Sequence, residues 1–214
     1  MPNGGTTRGA TAEPSTDGAS PSDTTESPTA PPTRSGPSSP PTPSVAPTPA
    51  SPTNRAANLA VPELPEEARA ESKAGLKAFM EHWLELLSYS YLANDLAPLN
   101  EVSNPGCTFC VQAETSMKQI YQLGWVSGGG TTLTAFTTDF QPDTNGIYSA
   151  DITTTQAEIF YYSGEGWLGS SESIPDTSHS ITARYVDGSW QLIDYATPEA
   201  GSVPSATASP EPGS

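Results

Sequence analysis

The sequence predicts an α+β domain, with a long helix first and an antiparallel sheet after it. Three observations carry that prediction. Large apolar residues recur at three- and four-residue steps from Leu76 to Tyr91, the composition turns to Thr, Ile, Phe, Tyr and Val after Gly128-Gly129-Gly130, and Asn145-Gly146 and Asp187-Gly188 punctuate the second half as hairpin turns. An amphipathic helix followed by strands joined at tight turns buries its apolar stripe on the sheet. The expected plan is a long N-terminal helix and shorter helices packed on a curved antiparallel sheet.

Pro65 suits a first helical turn, and Glu66, Glu67 and Glu71 complement the positive end of a helix dipole. Leu76, Phe79, Met80, Trp83, Leu87 and Tyr91 then share one side, with Glu81, Glu85 and Ser88 opposite, so the expected helix runs from about Glu66 to Ala93 and ends near Asn94-Asp95. A turn or short helix over Leu96 to Val102 leads through Asn104-Pro105-Gly106 to Cys107. Val111, Met117, Ile120 and Tyr121 predict a second helix to Leu123, with Gly124 in a C-terminal position. Strands are expected at 131–140, 147–162, 178–186 and 189–195. A two-residue loop at Asp187-Gly188 would pair Tyr185 with Trp190, Ala183 with Leu192 and Ile181 with Asp194, putting His179, Ile181, Ala183 and Tyr185 on one face. The stretch Tyr161-Tyr162-Ser163-Gly164-Glu165-Gly166-Trp167-Leu168-Gly169 fits neither helical nor strand period and reads either as an exposed or bent loop or as a bulged strand end with Trp167 tucked inward.

Outside this domain the composition changes. Residues 1 to about 60 are dense in Pro, Ser, Thr, Ala and Gly, and beyond Met1 and Leu59 they hold no large side chain of the Phe, Tyr, Trp, Leu, Ile, Met or Cys types. Such a stretch buries too little apolar surface to offset its ordering entropy. It is expected to be a disordered leader, 1–60, followed by the domain, 61–197, and a disordered tail, 198–214. The leader reads either as a generic low-complexity extension or as a stalk; as a flexible coil, 60 residues average about 45 Å end to end. The start, Met1-Pro2-Asn3-Gly4-Gly5, has no basic region, apolar run or cleavage site, so a signal peptide or lipid anchor would have to lie outside the sequence as given.

Charge narrows the partners. The chain carries 8 Lys and Arg against 24 Asp and Glu, and no basic residue occurs between Lys118 and Arg184. That surplus repels phosphate backbones and anionic lipid, so neither nucleic acid nor a membrane surface is an expected partner. No Asp-x-Asp-x-Asp-Gly loop or other metal pattern is present, and no cofactor is expected.

The cysteines, Cys107-Thr108-Phe109-Cys110, admit three chemistries. They can close a four-residue disulfide staple, the default in an oxidising compartment; they can act as a redox pair, since Cys107 sits at a helix start; or they can be half of a metal site. A thioredoxin arrangement needs a preceding strand, whereas here a helix and turn precede, and a zinc site would have to recruit His82 and His179 without finger-like spacing. A second candidate site is acid–base. His82 and Tyr89 lie seven residues apart on the flank of the long helix, and His179 and Asp194 would be diagonal neighbours on the sheet, where a carboxylate beside an imidazole makes a tuned general base. The aromatics read mostly as core, with Trp167 and its neighbour Tyr162 as the contact residues of a binding loop.

The run Phe79-x-x-x-Trp83, Tyr89-x-Tyr91 before Asn94-Asp95, Asn104-Pro105 ahead of the cysteine pair, and the Tyr121-containing helix resemble an actinobacterial domain-of-unknown-function family, number 6318, over about residues 62 to 197. The resemblance implies a cone-shaped, nuclear-transport-factor-like α+β fold in predicted secreted lipoproteins with Pro/Ser/Thr leaders, and it implies no activity. The expected function is therefore a non-catalytic extracytoplasmic, cell-envelope domain that binds a small molecule or an envelope protein. An isomerase- or dehydratase-type enzyme using Asp194 with His179 or His82 is the first alternative, and a thiol-redox protein the second.

Overall fold

A computed structural model describes residues 46–197. The expected disordered tail and residues 1–45 of the expected leader lie outside this range. Eleven elements follow in order: a short 3-10 helix (Glu66–Arg69), α1 (Lys73–Ala93), α2 (Ala97–Glu101), α3 (Thr108–Leu123), and strands β1 (Trp125–Gly128), β2 (Thr131–Thr137), β3 (Ile147–Gln156), β4 (Ile159–Ser163), β5 (Gly166–Ser171), β6 (Ile174–Val186) and β7 (Ser189–Ala196). The domain is α+β, with helices packed on antiparallel strands. Where one curved sheet is expected there are two, a four-stranded sheet ordered β2-β3-β6-β7 and a three-stranded sheet ordered β1-β4-β5.

The long helix begins later than its periodicity suggests. Ser72 caps it by accepting from the Gly75 amide at 2.9 Å, and the 3-10 turn before it is a separate element. The sheet holds the break between them: the Tyr185 hydroxyl donates to Arg69 carbonyl at 2.6 Å, Trp190 Nε1 to Ala70 carbonyl at 3.0 Å, and the Tyr148 hydroxyl to Glu71 Oε1 at 2.8 Å. Gly75 makes room for the fold-back, since a Cβ there would stand 2.1 Å from the Ala70 carbonyl oxygen. Asn94 in the left-handed conformation ends the helix where the sequence predicts.

The core lies between α1 and the inner face of the four-stranded sheet. Leu76, Phe79, Met80, Trp83 and Leu84 of α1 meet Ala150 and Ile152 of β3, Ile181 and Ala183 of β6, and Leu192 and Tyr195 of β7, all buried. Trp83 is its centre: its ring stacks on Tyr195 at 5.5 Å and its Nε1 donates to Ser103 Oγ at 2.8 Å. Period-two alternation follows directly, with Tyr148, Ala150, Ile152 and Thr154 buried and Ser149 and Asp151 exposed on β3. The free edge of β7 is partly covered, because Leu192 exchanges backbone hydrogen bonds with Val102 and Asn104.

The Asp187-Gly188 turn has both residues at positive φ, as a type I′ hairpin requires, and it sets Tyr185 opposite Trp190 and Ala183 opposite Leu192 as expected. The third expected pair does not form. A one-residue bulge leaves Ile193 unpaired, so Tyr195, not Asp194, lies opposite Ile181, and Asp194 lies opposite Thr182 on the outer face. At Asn145-Gly146, where Pro142 and Asp143 leave the register open in the sequence, the loop is enlarged. Only Gly146 has positive φ, and the Asp143 carboxylate accepts from the Asn145 and Ile147 amides, so side-chain bonds replace the tight two-residue loop.

The expected strand 147–162 is two strands in two sheets, parted at Ala157-Glu158, and of the two readings of the stretch around Trp167 the bulged strand holds, as β5, with Trp167 exposed and not tucked inward. Gly124 follows α3 with an extended backbone and no left-handed turn; it is needed because a Cβ would stand 1.6 Å from the Tyr162 carbonyl oxygen. Residues 48–57, which composition places in the leader, form a small hairpin, with Thr48 and Ala57 exchanging backbone bonds at 2.8 and 2.9 Å. Trp125 Nε1 donates to Ser51 carbonyl at 2.8 Å, and the Arg55 guanidinium lies 5.6 Å from the Tyr121 ring centre and 5.8 Å from that of Trp125.

Candidate functional site

The cysteine chemistry is a disulfide. Cys107 and Cys110 are bonded, and Cys107 Sγ accepts from the Cys110 amide at the start of α3. Cys107 is fully buried and Cys110 is 8% exposed, at the edge of a cleft lined by Asn104, Pro105 and Val111. The loop they close carries Phe109, whose ring lies 4.6 Å from Tyr195 and 6.1 Å from Trp83. The staple thus presses the first turn of α3 onto the aromatic centre of the core.

The three acid–base candidates lie on three different surfaces. His179 is on the core side of β6, and both ring nitrogens are satisfied, Nε2 by Thr154 Oγ1 at 3.1 Å and Nδ1 by Thr197 Oγ1 at 3.2 Å. Asp194 is on the outer face, at an open concavity of about 480 Å³ with Asp139, Asp151 and Thr182, and its buried Oδ1 has no partner among the described residues. The expected diagonal pairing of His179 with Asp194 is therefore corrected: the bulge at Ile193 turns the carboxylate away from the imidazole's side of the sheet. His82 is only 4% exposed and lines a cleft of about 390 Å³ between α1 and β2, with Glu67, Glu81 and Glu85 on its walls and no partner for Nδ1 among the described residues. Burial pushes the pKa of both histidines below the usual imidazole value, which keeps them neutral near pH 7. No imidazole shares a cleft with Asp194, so the expected pairing of Asp194 with a histidine is not assembled.

Tyr89 is structural in its surroundings. Its hydroxyl donates to Asp95 Oδ2 at 3.2 Å, and Asp95 in turn accepts from the Ala97 amide, tying the end of α1 to the start of α2. Burial and the neighbouring carboxylate raise its phenol pKa.

Trp167 and Tyr162 do come together, on the three-stranded sheet. Between this sheet and α3 lies a groove of about 280 Å³ lined by Ile120, Leu123, Trp125, Tyr161, Tyr162 and Leu168. Tyr162 lies against Trp125 with ring centres 6.1 Å apart and forms the buried floor. A bulge in β5 sets Tyr161 opposite Gly169 and Tyr162 opposite Trp167, which leaves Leu168 unpaired. Both side chains at the bulge are exposed, Trp167 by 65% and Leu168 by 55%, and of the two Leu168 lines the groove. Leu123, at the last turn of α3, is 73% exposed on the opposite wall. Sequence reasoning missed Leu123, Leu168 and Ile120. The available signal was the adjacent pair Trp167-Leu168 between glycines, which neither period can bury.

Among the described residues, no helix is long and apolar enough to cross a membrane and no cluster of three or more His, Cys, Asp or Glu can hold a metal ion. No curated protein matches the chain. Among solved structures, the intermembrane space region of chloroplast protein ARC6 is 11% identical with a TM-score of 0.40, covering 59% of this chain and 95% of that one. A putative calcium/calmodulin dependent protein kinase II association domain from Xanthomonas campestris is 14% identical with a TM-score of 0.36, covering 59% and 88%. At these scores neither likeness informs function. The family is clear from sequence: residues 47–196 match the family of unknown function DUF6318, a span that includes the hairpin at 48–57, and the chain belongs to that family.

Proposed function

We propose that this chain is a non-catalytic binding domain of an extracytoplasmic, cell-envelope compartment, carried on its Pro/Ser/Thr-rich leader and engaging a protein partner through the groove between α3 and the three-stranded sheet. The observation that carries the reading is Leu123 and Leu168, both exposed on the walls of a groove with an aromatic floor, with exposed Trp167 next to Leu168 on β5. Large apolar side chains lining one concave place, while the concavity on the outer face of the other sheet is lined chiefly by Ser, Thr and Asp, mark a contact surface rather than scattered exposure. The buried disulfide supports an oxidising compartment. The dispersal of His82, His179 and Asp194 supports binding over catalysis.

The test is photo-crosslinking in cells that produce the protein. A photoreactive phenylalanine at Leu168 is expected to give a discrete crosslinked species, and the same group at Ser149, exposed on the outer face of the four-stranded sheet, none. Equal crosslinking from both positions, or none from Leu168, would refute the reading.

A further inference from the structure

We infer that β5 takes up an extended peptide segment of the partner as a fourth strand, and that this segment has an apolar centre and a Lys or Arg at each end. The inference rests on the groove being the binding surface and names the chemistry of what fills it.

The strand order β1-β4-β5 leaves one side of β5 without a neighbour among the described residues. Open edges are ordinarily blunted by lysine, proline or an inward charge. Gly166-Trp167-Leu168-Gly169-Ser170-Ser171 has none of these, and its bulge, which elsewhere turns an edge away, here presents Trp167 and Leu168. An added strand would satisfy the unpaired backbone groups of β5 and bring every second side chain to the groove lined by Leu123, Leu168 and Tyr161.

Charge selects the occupant. Glu165, in the turn before β5, is exposed at one end of the edge; Glu172, just after β5, and Glu158, just before β4, are exposed at the other. No Lys or Arg occurs from residue 119 to 183, and the guanidinium of Arg55 is engaged over the Tyr121 and Trp125 rings. A second copy of this chain pairing through the same edge would bring these carboxylates together, which disfavours self-association. A peptide with basic ends meets them. Six strand residues span about 20 Å, so the two basic residues stand about six or seven positions apart with apolar residues alternating between them.

Selection from a displayed library of random nonapeptides against the full chain tests this. Enriched peptides are expected to alternate apolar residues between basic ends, to bind about tenfold more weakly to the E165K/E172K variant, and to be lost when a central residue is made proline, which removes a strand-pairing N–H. Peptides with acidic ends or helical apolar spacing whose binding still falls on Leu168→Ser would overturn the strand-addition inference and leave the groove as the binding surface. Peptides whose binding ignores both Trp167→Ala and Leu168→Ser would overturn the inference and the groove reading together. Absence of any enrichment also overturns the inference, and the crosslinking at Leu168 then decides the groove reading by itself.

Discussion

The two sheets of this domain treat their aromatic residues in opposite ways. In the four-stranded sheet Tyr148, Trp190 and Tyr195 are buried, their rings packed on one another or on Trp83 and the polar ends of Tyr148 and Trp190 spent on Glu71 and Ala70. In the three-stranded sheet Tyr162 and Trp125 form a floor, while Trp167 and Leu168 stand in solvent with Leu123 opposite. The first arrangement holds the fold together; the second leaves apolar surface for something else to cover. The difference separates the layer that carries stability from the surface proposed for recognition, so each can be perturbed with limited effect on the other.

The largest expected effect separates two tryptophans. Trp83→Ala removes a fully buried ring and orphans the Ser103 contact, and should cost about 3–5 kcal/mol in urea denaturation, a large share of a small domain's stability. Trp167→Ala should change the same unfolding free energy by no more than about 0.5 kcal/mol, because the ring is mostly exposed. A costly Trp167→Ala would break the comparison by placing that ring in the structural layer.

The disulfide comes next. Replacing Cys107 and Cys110 together by serine opens a loop with a sequence separation of 3, and the loop-entropy relation puts the loss at about 2 kcal/mol. The loss should be accompanied by a change in near-ultraviolet circular dichroism from the Trp83, Phe109 and Tyr195 cluster, since the staple positions Phe109. An unchanged aromatic signal would show that Phe109 is held by other contacts.

Acid has a smaller, graded effect with a defined sign. Burial lowers the pKa of His82 and His179 in the folded state below the unfolded value of 6.5, so the unfolded chain binds more protons as pH falls through that window. Stability is at its full value above pH 6.5 and declines as pH drops through the folded pKa values. The urea midpoint should fall on going from pH 7.5 to 5.5, and His82→Leu together with His179→Leu should flatten that dependence. A wild-type midpoint that rises on acidification would contradict the buried, neutral state of both rings.

How much was legible in the sequence follows the same division. Elements that obey a period were readable: the apolar stripe of α1, the alternation of β3 and β6, the Asp187-Gly188 hairpin with its first two pairs, and the cysteine pair at the start of α3. What broke a period was not. The bulge at Ile193 moved Asp194 to the other face and dissolved the acid–base pair, and a one-residue insertion of that kind leaves no composition signal. The bulge at Leu168 and the glycines around it left β5 readable as a loop or as a bulged strand, though Trp167 and Tyr162 still stood out as contact residues. The hairpin at 48–57 was hidden because its order comes from Trp125 and Arg55 contacts, not from its own Pro/Ser/Thr composition.

The most direct test of the central claim is a map of backbone amide shifts by nuclear magnetic resonance as a peptide is titrated in. The probe is an acetylated, amidated octapeptide of alternating Val and Thr with a Lys at each end. The account predicts shifts confined to Gly166–Ser171, its partner strand β4 and the groove wall around Ile120 and Leu123, with slowed hydrogen exchange along β5. Shifts centred on the outer face of the four-stranded sheet, or none at all, would contradict it.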